Sequence, residues 1–149
     1  MRGVLVRGVL IGWVALAMLP GVSEAEKISW GNELPEACRA AMKLQRPVLV
    51  VFTMSDCHFC ERMKAETLRD QDIISQINRG FVPVLINSDN SGKLAEQWVK
   101  ALHVDVFPTT LMVTPKGKVV GRFNGYASPS EMQDKIDIAL KDHGTPKTR

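Results

Sequence analysis

A chain of 149 residues carrying a net charge of +3 has the length of one domain, and its charge is too mild to make nucleic acid an expected partner. With 45% hydrophobic residues and no internal repeat or low-complexity segment, it has the composition of a globular protein that buries one core without disulfide staples.

The first 25 residues read as a targeting segment. Arg2 and Arg7 precede a continuous apolar run from Gly8 to Leu19, Pro20 and Gly21 break it, and Ser23-Glu24-Ala25 places small residues where a signal peptidase reads them. Cleavage after Ala25 is expected, with an uncleaved anchor as the alternative, because about a dozen apolar residues fall short of the roughly 20 that span a bilayer. No arginine pair marks twin-arginine export, and no cysteine follows the apolar run. Removing residues 1–25 leaves 124 residues and a net charge of +2. Export to a periplasm or the cell exterior follows as the expected localisation; the final Thr145 to Arg149 carries no endoplasmic reticulum retention signal.

After a polar lead that contains Trp30, Asn32 is positioned to cap a helix from Glu33 to about Leu44, with Leu34, Ala37, Cys38, Ala41 and Met42 as its buried stripe. On that stripe Cys38 reads as a small buried hydrophobe rather than a reactive thiol. Arg46-Pro47 then launches Val48-Leu49-Val50-Val51-Phe52, an apolar, largely β-branched run suited to a strand covered on both faces. Ser55 and Asp56 are good N-cap residues for a helix running from Cys57 to about Leu68, which buries Phe59 or Cys60, Met63 and Leu68.

The pair Cys57-His58-Phe59-Cys60 is the motif around which the rest is organised. Cysteines three apart on a helical turn bring their sulfurs within bonding reach, and at a helix N-terminus the free backbone N–H groups and the dipole favour a thiolate. That makes Cys57 the expected nucleophile and Cys60 the resolving thiol. The spacing alone also serves zinc half-sites, so a metal reading stays open at this point: Cys57, His58 and Cys60 holding copper(I) or zinc, with Cys38, His103 or His143 completing the shell.

Asp70 or Asp72 can cap a short helix through Ile73, Ile74 and Ile77 that stops at Asn78-Arg79-Gly80. Phe81 to Ile86 is a second strand, and Pro83 within it argues for an edge position or a distorted start. A loop from Asn87 to Gly92 leads into a helix marked by Leu94, Trp98, Val99 and Leu102 and ending near His103. Thr109 to Thr114 and Lys118 to Phe123 are strands joined by the turn Pro115-Lys116-Gly117. Ser128 and Pro129 start a last helix with Met132, Ile136, Ile138 and Leu140 as apolar contacts, and residues 143–149 form a polar, flexible tail. Strands joined through a helix are expected to run parallel and the hairpin strands antiparallel, so the predicted class is α/β with a mixed central sheet flanked by helices on both faces.

That order of elements, with a dithiol after the first core strand and Val106-Phe107-Pro108-Thr109-Thr110 before the hairpin, resembles the thioredoxin superfamily over about Pro47 to Leu140. Arg46-Pro47-Val48, Glu66 to Asp70 and Phe81 to Asn87 look similar to secreted thioredoxin-like domains and to the C-terminal domain of the transmembrane thiol:disulfide interchange reductase. The resemblance implies a thioredoxin-like domain over residues 26–142 and a redox-active Cys57–Cys60 disulfide. It also implies a cis Pro108 beside that disulfide, with Phe107 offering backbone groups to a substrate strand, and Gly125 where the family has a glycine after its last strand. The implied activity is thiol:disulfide exchange with no bound organic cofactor and no metal. The implied partners are protein disulfides and a thiol electron donor, a membrane reductase among the candidates, with the protein acting as a monomer.

Three positions depart from thioredoxin itself. Val51 stands where the family keeps a buried aspartate beneath the dithiol, Asp56 where it has tryptophan, and His58-Phe59 where it has Gly-Pro. The lost carboxylate removes a proton acceptor for the resolving thiol, with Glu61 and Glu66 as possible substitutes. A protonated His58 beside Cys57 would stabilise its thiolate and make the pair more oxidising, while Asp56 would act in the opposite sense. Oxidase, isomerase and redox-inactive interaction roles are the alternatives on the same fold.

Overall fold

The computed structural model describes residues 26–90 and 92–143. The targeting segment expected at 1–25 and residues 144–149 of the expected tail lie outside the described residues. The elements are α1 (Leu34–Leu44), β1 (Val48–Thr53), α2 (His58–Ala65), a 3-10 turn (Thr67–Arg69), α3 (Gln71–Gly80), β2 (Val82–Asn87), α4 (Gly92–Ala101), β3 (Thr109–Val113), β4 (Val119–Asn124) and α5 (Pro129–His143).

Strand β1 is buried at every position, as its unbroken apolar run requires, because it is sandwiched on both faces and paired on both edges. The sheet order is β2-β1-β3-β4, with β1 and β2 parallel and β1–β3 and β3–β4 antiparallel. The side chains of β1 alternate between two layers. Leu49 and Val51 pack with Met63, Ile73, Ile77, Met132 and Ile136 beneath α2, α3 and α5. Val48, Val50 and Phe52 pack with Leu34, Ala37, Ala41 and Ala95 beneath α1 and α4.

Strand β2 is the edge strand that Pro83 suggested. The Val82 N–H donates inward to the Pro47 carbonyl, while the Leu85 N–H donates outward to Gly31. Alternate residues of a strand face opposite edges, so the proline nitrogen lies on the outer edge, where the inner ladder loses nothing. Gly31 partly covers that edge through a bridge to Val84.

Several local expectations are corrected. Helix α1 starts at Leu34 with Glu33 at its N-cap position and no side-chain cap, so Asn32 does not cap it. Its buried stripe is Leu34, Ala37 and Ala41; Cys38 is half-buried and Met42 is exposed, because α1 covers only one face of the sheet and its outer flank meets solvent. Helix α2 ends at Ala65 instead of continuing to Leu68, and a 3-10 turn tightens the chain so that Leu68 still reaches the core. Leu94 on α4 and Ile138 on α5 are exposed, and Ala95 and Ala139 take the inward positions. The rule that helix-linked strands run parallel holds for β1 and β2 but fails for β2 and β3. Thr109 lies opposite Phe52, so after α4 the chain re-enters the sheet at the end where β1 and β2 leave it, and β3 must run antiparallel.

Other signals hold as written. Asp70 caps α3 by accepting from the Asp72 and Ile73 N–H groups, each at 3.1 Å. Ser128 begins α5 and forms a reciprocal cap with Glu131: the Ser128 N–H donates to the Glu131 carboxylate at 2.8 Å and the Glu131 N–H returns to Ser128 Oγ at 3.3 Å. The Ser128 N–H, and then the Ser128 hydroxyl donating to the same carboxylate at 2.8 Å, hold the Glu131 carboxyl below its ordinary range.

The burial pattern of α5 makes a direct test. Ile136→Ala, at a fully buried site, should cost about 2–5 kcal/mol, whereas Ile138→Ala two residues on should stay within about 0.5 kcal/mol. Urea unfolding of the oxidised protein measures both, and equal costs would contradict the assignment of faces.

Candidate functional site

The site is built where β1 and β2 end and β3 begins. After β1 the chain turns through Met54, Ser55 and Asp56, with Asp56 in a left-handed conformation at φ 53°. Aspartate tolerates that region better than most residues, since its short side chain can bond locally. The turn carries the chain past both expected caps: neither Ser55 nor Asp56 caps α2, and Cys57 itself does, its Sγ accepting from the Cys60 N–H at 3.2 Å. The helix therefore begins at His58, one residue later than expected.

Cys57 and Cys60 form a disulfide with their Cα atoms 5.2 Å apart. The two sulfurs have unlike surroundings. Cys60 is fully buried, on the same stripe of α2 as Met63, whereas Cys57 is partly exposed at the cap. The capping N–H and the positive end of α2 lie at Cys57, so an opened pair would hold negative charge there at least cost.

His58 and Phe59 sit outside the pair. Both are exposed, and their rings meet edge to face at 5.5 Å. Phe59 is therefore not the buried alternative to Cys60. Asp56 is also exposed, immediately before Cys57.

The Phe107–Pro108 peptide is cis and leads directly into β3, opposite the end of β1. The Pro108 carbonyl accepts from the Gly125 N–H at 2.6 Å, and Gly125 has φ 85°, a left-handed geometry that favours glycine. The loop is further held by Thr109 Oγ1, which donates to the Val106 carbonyl at 2.6 Å. Phe107 packs its ring against the α1/α4 layer, and its backbone N–H and C=O have no partner among the described residues. The Arg122 guanidinium on β4 donates to the carbonyls of Leu102 and His103, tying the end of α4 to the sheet.

Two further groups brace the site without having announced themselves in the sequence. Asp89, in the loop after β2, accepts the Ser55 N–H at 2.5 Å and so holds the turn before Cys57; nothing in its Asn-Ser-Asp-Asn surroundings singles it out. Tyr126, just past Gly125, donates to Glu66 at 2.5 Å, while Arg62 bonds Glu66 at 3.1 Å and stacks 4.2 Å from the tyrosine ring. The Tyr126 bond, then that of Arg62, holds the Glu66 carboxyl below its ordinary range, and donating its proton to that carboxylate pushes the Tyr126 phenol up. The only sequence signal for this cluster is that Tyr126 is the sole tyrosine of the chain.

Neither glutamate offered as a proton acceptor for Cys60 is free to serve. Glu61 pairs with Lys64 at 2.8 Å on the surface, and Glu66 is engaged as described. Nor does the structure assemble the metal shell. Among the described residues no group of three or more His, Cys, Asp or Glu side chains could hold a metal ion. Cys38 packs with the layer on the opposite face of the sheet from Met63, its thiol pushed up by burial, and the side chain of His143 lies outside the described residues.

A mixed four-stranded sheet with a dithiol at the first turn of the helix after its central strand, and a cis-proline loop at the same end of the sheet, defines a dithiol domain of the mixed α/β class. Residues 34–139 match the family model of the thioredoxin-like domain, and the chain belongs to that family. Among solved structures it is similar to a thioredoxin from Thermus thermophilus, 23% identical, covering 81% of this chain and 92% of that one with a TM-score of 0.70. It is similar to the DsbH oxidoreductase, 19% identical over 78% and 87% of the two chains with a TM-score of 0.70. The Neisseria meningitidis DsbD C-terminal domain in its oxidised form follows at 18% identity, 71% and 95% coverage and a TM-score of 0.60. At these identities the likeness speaks to the fold. A comparison with curated proteins finds no match. A thioredoxin-like fold carrying a CxxC pair is consistent with a thiol:disulfide oxidoreductase.

The Glu66–Tyr126 contact can be read through the single phenol. In Glu66→Gln the phenol no longer gives its proton to a carboxylate, so its titration should move down toward the ordinary value of about 10. Tyrosinate absorbance against pH measures this, and an unchanged midpoint would mean that the contact does not persist in solution.

Proposed function

We propose that the protein is an exported reductase of protein disulfides, with Cys57 as nucleophile and Cys60 as resolving cysteine. The observation that carries this reading is the asymmetry of the pair: Cys57 is partly exposed and accepts a helix-terminal N–H, while Cys60 is fully buried behind it. A partner disulfide reaches Cys57 first. The exchange then runs through a mixed disulfide that Cys60 resolves, with no bound organic cofactor.

Substrate binding is assigned to the loop at Phe107 and Pro108. The unpartnered Phe107 N–H and C=O suit a short strand-like pairing with an extended substrate segment. Exposed Phe59 beside the pair and Val106 in the loop add apolar contact. The reducing direction and a thiol electron donor are supported by the sequence likeness to the interchange reductase, whose C-terminal domain from Neisseria meningitidis has been solved in oxidised and reduced forms and shares this fold. Export rests on residues 1–25, and no helix of the described residues is long and apolar enough to cross a membrane.

The mature protein should reduce insulin disulfides with dithiothreitol as donor, and Cys57→Ser should abolish the activity. Cys60→Ser should instead accumulate mixed disulfides through Cys57, visible on non-reducing gels. Trapping by the Cys57 variant and not by the Cys60 variant would reverse the two roles. N-terminal sequencing of protein from an exporting host should begin at Glu26.

His58 is assigned a tuning role through its exposed position next to Cys57. An imidazolium there stabilises the thiolate of the reduced pair and has no thiolate to stabilise in the disulfide. His58→Ala should therefore make the potential more negative, by up to about 30 mV for a tenfold change in this two-electron couple. Redox titration in a glutathione buffer decides, and a potential that is unchanged or less negative would make His58 a bystander.

A further inference from the structure

We propose that Thr110 is the positioning residue that stabilises the resolving thiolate of Cys60; the proposal rests on the oxidoreductase reading above. To resolve a mixed disulfide, Cys60 must attack as a thiolate, yet it is fully buried, and burial among apolar groups disfavours the charged form. Some group inside the protein has to compensate. Val51 offers no polar atom, and Glu61 and Glu66 are both engaged at the surface.

Thr110 offers what they do not. Among the described residues only two buried side-chain polar atoms lack a hydrogen-bond partner, Trp98 Nε1 and Thr110 Oγ1. Trp98 packs with the α1/α4 layer. Thr110 lies opposite Val51 on one side and Phe123 on the other. Residues directly opposite in a ladder share a face, and Val51 and Phe123 both belong to the layer that contains Met63. The Thr110 side chain therefore faces the layer beneath α2, α3 and α5. It is the second residue of β3, near the end of the sheet where β1 leaves for Cys57. Cys60 precedes Met63 by one helical turn on the same stripe, toward that same end.

A fully buried hydroxyl without a partner is costly, and such groups call for an explanation. Here the missing partner arises during the reaction. In the disulfide the Cys60 sulfur is held toward Cys57 and carries no charge. Once the bond opens, the sulfur is free to rotate inward and accept the Thr110 O–H.

The exchange then balances as follows. The Cys57 thiolate attacks one sulfur of the substrate disulfide; that S–S bond breaks, and the other substrate sulfur leaves as a thiolate. Cys60 S–H gives up its proton to this leaving thiolate, and Thr110 holds the resulting Cys60 thiolate through an O–H···S bond. The Cys60 sulfur attacks Cys57 Sγ, the Cys57–Cys60 bond forms as the Cys57–substrate bond breaks, and the second substrate thiolate takes a proton from water. Two electrons pass from the pair to the substrate. Thr110 keeps its own proton throughout and acts through Cys60.

The test compares wild type, Thr110→Val and Thr110→Ser. Valine keeps the shape and removes the hydroxyl, so the reduced form loses its bond while the oxidised form sheds an unpaired polar atom. Both effects shift the equilibrium of the pair with dithiothreitol toward the disulfide, by about tenfold, equivalent to a potential about 30 mV more negative. Thr110→Ser, which keeps the hydroxyl, should stay near wild type. Thermal unfolding separates this from a packing effect: Thr110→Val should stabilise the oxidised form and not the reduced form, whereas simple repacking would move both alike. Resolution of a preformed mixed disulfide with a small thiol should be slowed in the valine variant at neutral pH, with the gap closing as rising pH ionises Cys60 unaided. An unchanged equilibrium in Thr110→Val, or equal stability changes in both redox forms, would overturn the proposal. These readouts concern the Cys57–Cys60 equilibrium itself, so they remain decisive even if insulin reduction fails.

Discussion

Strand β1 is hydrogen-bonded to β2 on one edge and β3 on the other while both of its faces are covered, and the remaining elements take their places from that confinement. A slip of one residue would exchange the two faces, carrying Val48, Val50 and Phe52 from the α1/α4 layer into the layer beneath α2, α3 and α5. Because that is prohibitive, the register is firm. Phe52 lies beside Ile86 and Thr109 at once, so the turn to Cys57, the loop after β2 and the loop before β3 all converge at one end of the sheet. Groups far apart in sequence meet there: Asp89 holds Ser55, and Gly125 holds Pro108.

Within that frame the chemistry is set by unequal surroundings of like atoms. One helix turn separates Cys57 from Cys60, yet the first sits at the cap among backbone donors and the second lies in the apolar layer. Negative charge is therefore easiest to hold on the sulfur that a partner can reach. The more exposed Arg62–Glu66–Tyr126 cluster contributes differently. Such pairs add little stability where water screens them, but this one joins α2 to the segment after β4, and so links the helix that carries the dithiol to the loop that braces Pro108.

The buried face under the dithiol is almost wholly apolar. Val51 contributes packing to that layer and no acid–base group, and the sheet supplies a hydroxyl from the neighbouring strand instead. A hydroxyl can donate to a thiolate without carrying charge of its own, so it does not bear the desolvation penalty of a buried carboxylate.

The elements whose signals are local were legible in the residues alone. The buried strand Val48–Thr53, the dithiol at a helix start, Asp70 and Ser128 as caps, the edge position of the Pro83 strand and the hairpin at Pro115-Lys116-Gly117 each follow from backbone preference or periodicity over a few residues. Contacts between distant segments were not. Cys57 displaced Ser55 and Asp56 as the cap because the left-handed turn at Asp56 sets where α2 can begin. Met42 and Ile138 face solvent because the sheet offers each helix a narrower surface than its apolar stripe would fill. The direction of β3 came from its pairing with β1, and Asp89, Tyr126 and Thr110 gained their places only through register and loop closure. Periodicity in sequence states which side of an element is apolar, but only the assembled sheet decides which residues of other elements it meets.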